Sequence, residues 1–413
     1  QHTMKYSSYF YVKRLAGLGE YRLLPSQRDG DLCQVERCLP QQKQHISRAR
    51  QKRAGFWPAA VFCTIIIIAP LFLIFPVCLS NALYTYETTL FTFYDRFYRL
   101  GNSTYNAAVW STELSRLVSP VMCHSHNDYW RPHPLFSALA VGCASVEADV
   151  WLSPDGEDLL VGHDKRSLSS SRTLRSLYID PLLQILNSMN QPAPHRIFNP
   201  TAQACGVFAT EPDKTLILFI DVKDDPVKTW PLVLQQLGPL RDMRYLSRHD
   251  KTMATNQTFW PGPITIVGTG NIVKRRDINI GTDLEEWQQR HDAFLDAPLH
   301  LLTETGFSQS NGFYGPYELE DEFYTASAPF NKAIGSVRTG FSTQQMETLR
   351  NQLRIAKQRN LKSRLWGLPD WPISYRDYVW KILMQEGIDL LNANDIASVA
   401  IKYRQLGYPR EAA

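Results

Sequence analysis

The sequence predicts an α/β protein whose main domain is a TIM-type (β/α)8 barrel. The chain has 413 residues and 44% hydrophobic content, enough for one barrel of roughly 250 residues with a leader in front of it. From Pro120 onward, short β-like runs alternate with helical patterns, as in a parallel sheet built from βαβ units. Polar residues cluster where three of these runs end. The alternative architecture is a flatter, doubly wound parallel sheet.

The candidate strands are eight short apolar runs bounded by turn residues. They are Val121–Cys123, Ser145–Trp151, Leu159–Gly162, Thr215–Val222, Ile264–Gly268, Phe294–Asp296, Arg364–Gly367 and Leu390–Asn392. Helical periodicity predicts helices over Pro134–Val141, Ile179–Met189, Pro231–Leu237, Thr343–Gln358, Tyr375–Glu386 and Ile396–Tyr403. The segment from Thr305 to Tyr317 is rich in Gly, Ser and Asn and is predicted to be a long loop.

A membrane-spanning helix is predicted upstream of the barrel. The stretch Phe56 to Leu79 carries no charge and is longer than the roughly 20 residues that cross a bilayer core. Ser80 to Thr89 contains no Lys or Arg, whereas the residues before the stretch include Arg48, Arg50, Lys52 and Arg53. The positive-inside bias therefore predicts a single-pass membrane protein with a cytosolic N-terminus and a lumenal or extracellular large domain.

These features divide the chain into five segments. Residues 1–54 form a basic cytosolic tail with little predicted order, and residues 55–80 form the membrane helix. An aromatic-rich juxtamembrane segment follows over 81–117, then the barrel over 118–405 and a C-terminal tail over 406–413. The net charge of +4 is small, and no basic stripe in the barrel points to nucleic acid as a partner. The oligomeric state and the organelle stay open.

Two features bear on the compartment of the large domain. Asn102-Ser103-Thr104 and Asn256-Gln257-Thr258 are N-glycosylation triplets, which give weak support to an external location. Three cysteines lie beyond the apolar stretch: Cys123, Cys143 and Cys205. They allow at most one internal disulfide, and no pairing is predicted.

Carboxylates at the ends of predicted strands point to a metal ion. Glu147 and Asp149 are two residues apart, so their side chains lie on one face of a strand, where they repel each other unless a cation lies between them. Oxygen ligands favour Mg²⁺ or Ca²⁺. Asn127 and Asp221, at the ends of two further runs, are candidates to complete the ligand set. A lone acid at such a position is usually a loop cap or a surface ion pair, but several that converge favour one divalent cation.

Histidines at strand ends point to proton transfer. Near neutral pH an imidazole can accept a proton in one step and donate one in another, so His126 and His163 are the predicted acid/base pair. A divalent ion beside them would neutralise a phosphoryl oxygen. His124 has the same strand parity as His126, and it either competes for the catalytic position or supports the site by hydrogen bonding.

These motifs resemble known phosphodiesterases. Ser125-His126-Asn127-Asp128-Tyr129 is similar to the Ser-His-Asn-Thr-Tyr element of phosphoinositide phospholipase C barrels, in which the His is catalytic and the Asn binds metal. Glu147-Ala148-Asp149 and Leu160-Val161-Gly162-His163-Asp164 resemble the metal-binding Glu-x-Asp and the second catalytic His of glycerophosphodiester phosphodiesterases. Phe219 to Lys223 resembles that family's third acid and the Lys that follows it, with Asp221 where Glu is usual. From roughly Ser119 to Tyr403, the ensemble is most similar to the fungal altered inheritance of mitochondria protein 6 group.

The resemblance implies a phospholipase-C-like barrel that acts as a metal-dependent phosphoric diester hydrolase on a glycerophosphodiester or phospholipid-type substrate. Its product would be a cyclic phosphate or a monoester. The His-Arg-Gly element of glycerophosphodiesterases is replaced here by His126-Asn127-Asp128, so Lys223 and Arg131 become the candidates for contacting phosphate. Asp128 and Asp164 are possible supporting residues.

Two other functions compete with this one. The first is a catalytically silent, membrane-tethered module that binds lipid or protein. The second is a metal-dependent nuclease, which the lack of a basic groove and the predicted topology disfavour.

Overall fold

The computed structural model describes residues 110, 114–191, 203–253, 257–274, 289–304, 306–307 and 320–406. In this part of the chain, eight parallel strands form a closed barrel in which each strand pairs with its neighbours in the sequence and the last pairs with the first. The strands are β1 (Val121–Ser125), β2 (Cys143–Leu152), β3 (Leu216–Val222), β4 (Ile264–Gly270), β5 (Ala293–Pro298), β6 (Phe323–Pro329), β7 (Lys362–Trp366) and β8 (Leu390–Ala393). The barrel expected from the sequence is thus the observed architecture, and the flatter sheet is not.

Helices surround the barrel and bury their apolar faces against the outer face of the strands. They are α1 (Phe136–Val141), α2 (Asp180–Met189), α3 (Pro226–Gln236), α4 (Gly238–Asp242), α5 (Phe330–Ala333), α6 (Thr343–Gln358), α7 (Ile373–Gln385) and α8 (Ile396–Leu406). Local sequence signals begin two of them. Ser342 and Gln345 form a capping box at α6, and the Asp225 side chain accepts from the Val227 N–H at α3.

A second, smaller apolar core lies inside the barrel. It contains Ile217, Phe219, Val267 and Leu390, packed with Met122 and Tyr324. Most of these residues lie in the amino-terminal halves of their strands. Further along the strands the inward positions become polar, so the barrel interior is closed at one end and carries charged groups toward the other.

One predicted barrel strand was assigned wrongly. Leu159–Val161 pairs antiparallel with β2, through Val150–Val161 and Leu152–Leu159, and forms a hairpin outside the barrel. The missing barrel strand is β6, with the sequence FYTASAP. Its Thr325 and Ser327 hydroxyls donate to the buried Asp296 carboxylate at 2.6 and 2.8 Å, so the strand faces a polar interior and lacks the continuous apolar run that predicts a buried strand.

The predicted helices are all present, and all but one have shifted ends. The bounds of α6 are those predicted, whereas α3 begins at Pro226 and includes Pro231, which the sequence suggested as its start. A proline is typical of a first helical turn, and Pro226 rather than Pro231 occupies that turn here.

Several predictions fall outside the described residues. They concern the tail 1–54, the span Phe56–Leu79, both glycosylation sites and most of the loop from Thr305 to Tyr317. Among the helices that the structure describes, none has both the length and the apolar character needed to cross a bilayer.

A disulfide joins two strands of the barrel. Cys123 of β1 is bonded to Cys143 of β2, with 4.9 Å between their Cα atoms, and Cys205 is a free thiol. The cysteine count allowed one bridge but did not identify the two cysteines that form it, because pairing depends on which strands become neighbours. The bridge holds together the two strands that carry most of the polar cluster.

Candidate active site at the carboxyl end of the barrel

Three carboxylates meet at the carboxyl ends of β2 and β3. Glu147 and Asp149 alternate with buried apolar residues along β2, and Asp221 lies directly opposite Asp149 in the parallel register. Glu147 is 5% exposed and Asp149 is 1% exposed. Each of the three acids places a carboxylate oxygen within 4.8 Å of the others. The sequence predicted this convergence from strand-end positions alone.

The hydrogen bonding of the acids fits a hard divalent cation. Asp149 Oδ1 and Asp221 Oδ1 are buried and have no hydrogen-bond partner among the described residues. Lys223 Nζ contacts the other oxygens, at 3.1 Å from Asp149 Oδ2 and 2.8 Å from Asp221 Oδ2. Because an unpaired buried carboxylate oxygen is costly, two of them in one cluster of three acids favour a bound cation with oxygen ligands.

Burial and neighbouring groups shift the pKa values of the three acids in different directions. Burial raises the pKa of Asp149 to about 7, with the charge of Glu147 adding to the effect. Burial also raises the pKa of Asp221, although Lys223 opposes it. For Glu147, burial acts in the same direction, but His124, Arg364 and His126 outweigh it and hold the pKa well below its usual range. Glu147 is therefore the firmly charged member of the cluster.

Asn127 lies beside the acids on a tight turn that follows β1. Its φ of 48° is left-handed, a conformation that Asn tolerates well. Its N–H donates to Glu147 Oε2 at 3.0 Å. The Tyr129 hydroxyl lies 2.8 Å from both Asn127 Oδ1 and Asp149 Oδ2. A hydroxyl has only one proton to donate, and Asp149 Oδ2 also has Lys223 Nζ at 3.1 Å, so Asn127 Oδ1 is free to accept from another partner when Tyr129 donates to Asp149.

Gly270, at the end of β4, makes room for Asp221. A Cβ at this position would lie 1.9 Å from Asp221 Oδ1, and the φ of +73° also disfavours other residues. Sequence reasoning placed Gly270 in a loop expected to set specificity, Gly268–Asn271, and gave it no part in accommodating the acids. A glycine at the end of a barrel strand is the only signal that could have indicated it.

The two histidines proposed for catalysis are both accessible from solvent. His126 is 30% exposed in its side chain, and Nδ1 lies 2.7 Å from Asn394 Oδ1. Because an amide oxygen only accepts, Nδ1 carries the proton and Nε2 keeps a free lone pair, 3.9 Å from Glu147 Oε2. His163 is 51% exposed, and its Nδ1 lies 3.7 Å from Asp149 Oδ2. The histidines thus contact different carboxylates of the cluster.

His124 is enclosed in the barrel, one layer below His126. Its Nε2 lies 2.9 Å from Arg364 Nη1 and its Nδ1 lies 2.8 Å from Ser145 Oγ. A guanidinium only donates, so Nε2 is the acceptor and the ring is neutral. Burial, helped by the charge of Arg364, lowers the pKa of His124 to about 4. With its lone pair occupied, His124 supports the site, and the geometry favours His126 for proton transfer.

Arg364 is the main site residue that sequence reasoning missed. It lies inside the barrel on β7, 3% exposed, and stacks on the Phe219 ring at 4.4 Å. Its Nη1 lies 3.5 Å from Glu147 Oε1, and its Nη2 lies 3.5 Å from Asp296 Oδ2. Arg364 and Asp296 both lie on predicted strands, but Lys362 is the only charged residue within two positions of either, so neither belongs to an acidic cluster in the sequence.

Three further candidates serve the surrounding loops. Arg131 donates from its guanidinium to the carbonyl of Asn394 at 2.5 Å and to Ser125 Oγ at 3.2 Å, and so joins the loops after β1 and β8. Asp128 is buried and accepts from Ser125 Oγ at 2.7 Å and from the Tyr178 hydroxyl at 3.1 Å. Asp164 is exposed and caps its own turn. The structure therefore brings Lys223 to the acids, but not Arg131 or Asp164.

Known proteins resemble this chain at the level of sequence. A family model described as "AIM6-like phosphodiesterase domain" matches residues 112–279. The altered inheritance of mitochondria protein 6 homolog of Arthroderma benhamiae is 37% identical over 297 residues, which cover 69% of this chain and 84% of that protein. The protein of this name from Eremothecium gossypii is 36% identical over 284 residues, covering 67% of this chain and 68% of that protein.

Among solved structures, a glycerophosphoryl diester phosphodiesterase from Parabacteroides distasonis is 12% identical, with a TM-score of 0.36 over 74% of this chain and 93% of that chain. That similarity is too low to bear on the chemistry of the site. The identity and coverage of the fungal relatives are high enough to decide the family. The chain belongs to the altered inheritance of mitochondria protein 6 family, whose shared domain is of the phosphodiesterase type.

Proposed function

We propose that this chain is a metal-dependent phosphoric diester hydrolase that acts at the carboxyl end of its barrel. The observation that carries the proposal is the pair of buried, unpartnered oxygens, Asp149 Oδ1 and Asp221 Oδ1, in a three-acid cluster. Such a cluster suits a divalent cation, and accessible imidazoles next to it suit proton transfer on a phosphate ester.

Glu147, Asp149, Asp221 and Asn127 are the residues that would hold one Mg²⁺ or Ca²⁺. When bound there, the ion neutralises a phosphoryl oxygen and lowers the pKa of the attacking hydroxyl. Lys223, which is 28% exposed in its side chain, adds a second positive charge at the solvent edge of the cluster. That charge counters the phosphate, as the resemblance to glycerophosphodiesterases implies.

His126 and His163 divide the proton transfers. The hydrogen bond from Nδ1 of His126 to Asn394 leaves Nε2 as the base that accepts a proton from the attacking hydroxyl. The His163 ring lies 3.7 Å from Asp149 Oδ2, on the other carboxylate of β2, and His163 donates a proton to the leaving oxygen. The side chains of His126 and His163 are both open to solvent beside the cluster, so a phosphodiester has access to them.

The substrate is a glycerophosphodiester or a phospholipid-type diester, and the barrel lies on the lumenal or extracellular side of the membrane. The Cys123–Cys143 disulfide supports that side, since such bridges persist in oxidising compartments and are rare in the cytosol.

The proposal is tested by assaying the full chain on glycerophosphodiesters, lysophospholipids and inositol lipids, with and without a chelator. We expect turnover of at least one substrate that stops with the chelator and returns on adding Mg²⁺ or Ca²⁺. Full activity in His163→Ala, or turnover indifferent to the chelator on every substrate cleaved, would rule this mechanism out. Metal binding without turnover would instead favour the silent module.

A further inference from the structure

The carboxyl face of the barrel exposes large apolar side chains around the site. In the part of the chain that the structure describes, the exposed tryptophans are Trp130, Trp366 and Trp371, with 60%, 42% and 76% of their surface open to solvent. Trp130 follows β1, Trp366 ends β7 and Trp371 follows β7. Ile373, 51% exposed, lies next to them at the start of α7. Exposed tryptophan is thus confined to one end of the barrel.

Two sets of contacts place these side chains beside the catalytic histidines. The Trp130 ring lies 5.0 Å from the His163 ring. Asn394 contacts His126 Nδ1 at 2.7 Å and donates to Asp370 Oδ2 at 2.8 Å, which joins the loop carrying Trp371 to His126. Trp130 therefore lies beside His163, and the loop that carries Trp371 is linked to His126 through Asn394.

The same face also carries unpaired positive charge. Lys165 and Arg166 follow His163 and are exposed. Neither forms an ion pair with any other residue that the structure describes, although Lys165 Nζ lies 5.4 Å from the centre of the Trp151 ring. The Asp164 carboxylate between them and His163 is occupied by backbone N–H groups. Indole rings and basic side chains together are typical of protein surfaces that lie in the interfacial layer of a membrane.

We propose that this face docks on the surface of an anionic phospholipid bilayer, with Trp366, Trp371 and Ile373 in the interfacial layer and Lys165 and Arg166 against lipid phosphates. The inference rests on the proposed function and adds that the phosphodiester is taken from the bilayer rather than from solution. The predicted span over Phe56–Leu79 supports a bilayer as the partner, because it would hold the barrel near one. Some forty residues separate that span from β1 in the sequence.

Fluorescence quenching tests the docking without any assumption about catalysis. The full chain is reconstituted in vesicles of phosphatidylcholine and phosphatidylserine, with or without brominated acyl chains that quench nearby indoles. We expect the quenched fraction of the emission to fall in Trp366→Phe/Trp371→Phe. The matched control, Trp260→Phe, removes a half-buried indole near the amino end of β4 and should not lower that fraction. Equal quenching in the parent and the double variant would overturn the proposal.

Activity gives a second, separable test. The variant Trp371→Ser/Ile373→Ser removes apolar surface that contacts neither histidine. We expect kcat/KM on a long-chain substrate in vesicles to fall about tenfold, while turnover of a short, water-soluble glycerophosphodiester stays the same. Met243→Ser, at an exposed apolar position away from the carboxyl face, serves as the control.

An equal effect of Trp371→Ser/Ile373→Ser on both substrates would overturn the docking surface. If neither substrate is cleaved by the parent, the proposed hydrolase is wrong. The quenching result still decides whether this face meets lipid.

Discussion

His124 and His126 lie two residues apart near the end of the same barrel strand, yet they occupy different chemical environments. His124 is fully buried, with one ring nitrogen against Arg364 and the other against Ser145. His126 reaches solvent and keeps a lone pair toward the acidic cluster. Two residues along the strand therefore separate two layers of the barrel. In the interior layer, around His124 and Arg364, the polar groups are hydrogen-bonded to one another. In the end layer, Asp149 and Asp221 have carboxylate oxygens without partners among the described residues. Depth in the barrel, rather than residue type, decides which histidine can transfer protons.

The largest expected effect separates the two histidines. His126→Ala should lower kcat by about 10²- to 10⁴-fold, because it removes the proposed base, while the free energy of unfolding changes little. His124→Ala should instead destabilise the fold by about 1 to 3 kcal/mol, since it leaves a buried Arg364 N–H without its acceptor. Steady-state kinetics and denaturant unfolding of both variants measure this. A reversed pattern would assign catalysis to His124.

The interior layer is tested by removing its positive charge. Arg364→Met should destabilise the chain by about 3 to 5 kcal/mol, because Glu147 and Asp296 lose a buried counter-charge. Arg350, which pairs with Glu386 at 2.7 Å on the surface, is the matched control, and Arg350→Met should have little effect. Thermal or urea unfolding compares the two. Similar losses for both would show that Arg364 does not organise the interior.

The end layer is tested by metal binding. At a Mg²⁺ or Ca²⁺ concentration of about 100 times Kd, the parent should gain about 2.7 kcal/mol of stability. Glu147→Gln should lose most of this gain, whereas Glu157→Gln, an exposed acid on the hairpin, should keep it. The measurement is the thermal shift of the full chain on adding the ion to chelator-treated protein. No shift in the parent would favour a silent binding module.

The smallest expected effect is a difference in pH dependence: the contributions of the two layers to the free energy of unfolding should change with pH in opposite directions. Asp149 has a pKa raised by burial to about 7 in the folded chain, so without metal it binds more protons folded than unfolded, and its contribution to stability falls as pH rises from about 4 to 7. His124 has a pKa lowered by burial to about 4, so its contribution rises between about 4 and 6.5.

Melting temperatures of metal-free variants across this range check both signs. His124→Gln should leave the falling contribution of Asp149, and Asp149→Asn should leave the rising one of His124. Identical pH profiles in the two variants would show that the layers do not differ in protonation as the structure indicates.

Prediction from sequence succeeded where residues close in the chain share one strand. Glu147 and Asp149 needed only strand parity, and Asp221 needed only the rule that parallel strands end at the same edge of a barrel. It failed for β6, whose inner face is polar, and for Leu159–Val161, whose apolar run serves a hairpin. In both cases the partner strand, rather than the run itself, determined the structure.

The sequence by itself determined the barrel, most of its helices and the family, because apolar periodicity and strand-end motifs are local properties of the chain. Only the tertiary structure decided the Cys123–Cys143 pairing, the Glu147–Arg364–Asp296 contacts inside the barrel and the different environments of His124 and His126. Each of these depends on which strands become neighbours and how deep a side chain lies. Burial and distance set charge and proton affinity, and neither is written in a residue's immediate sequence.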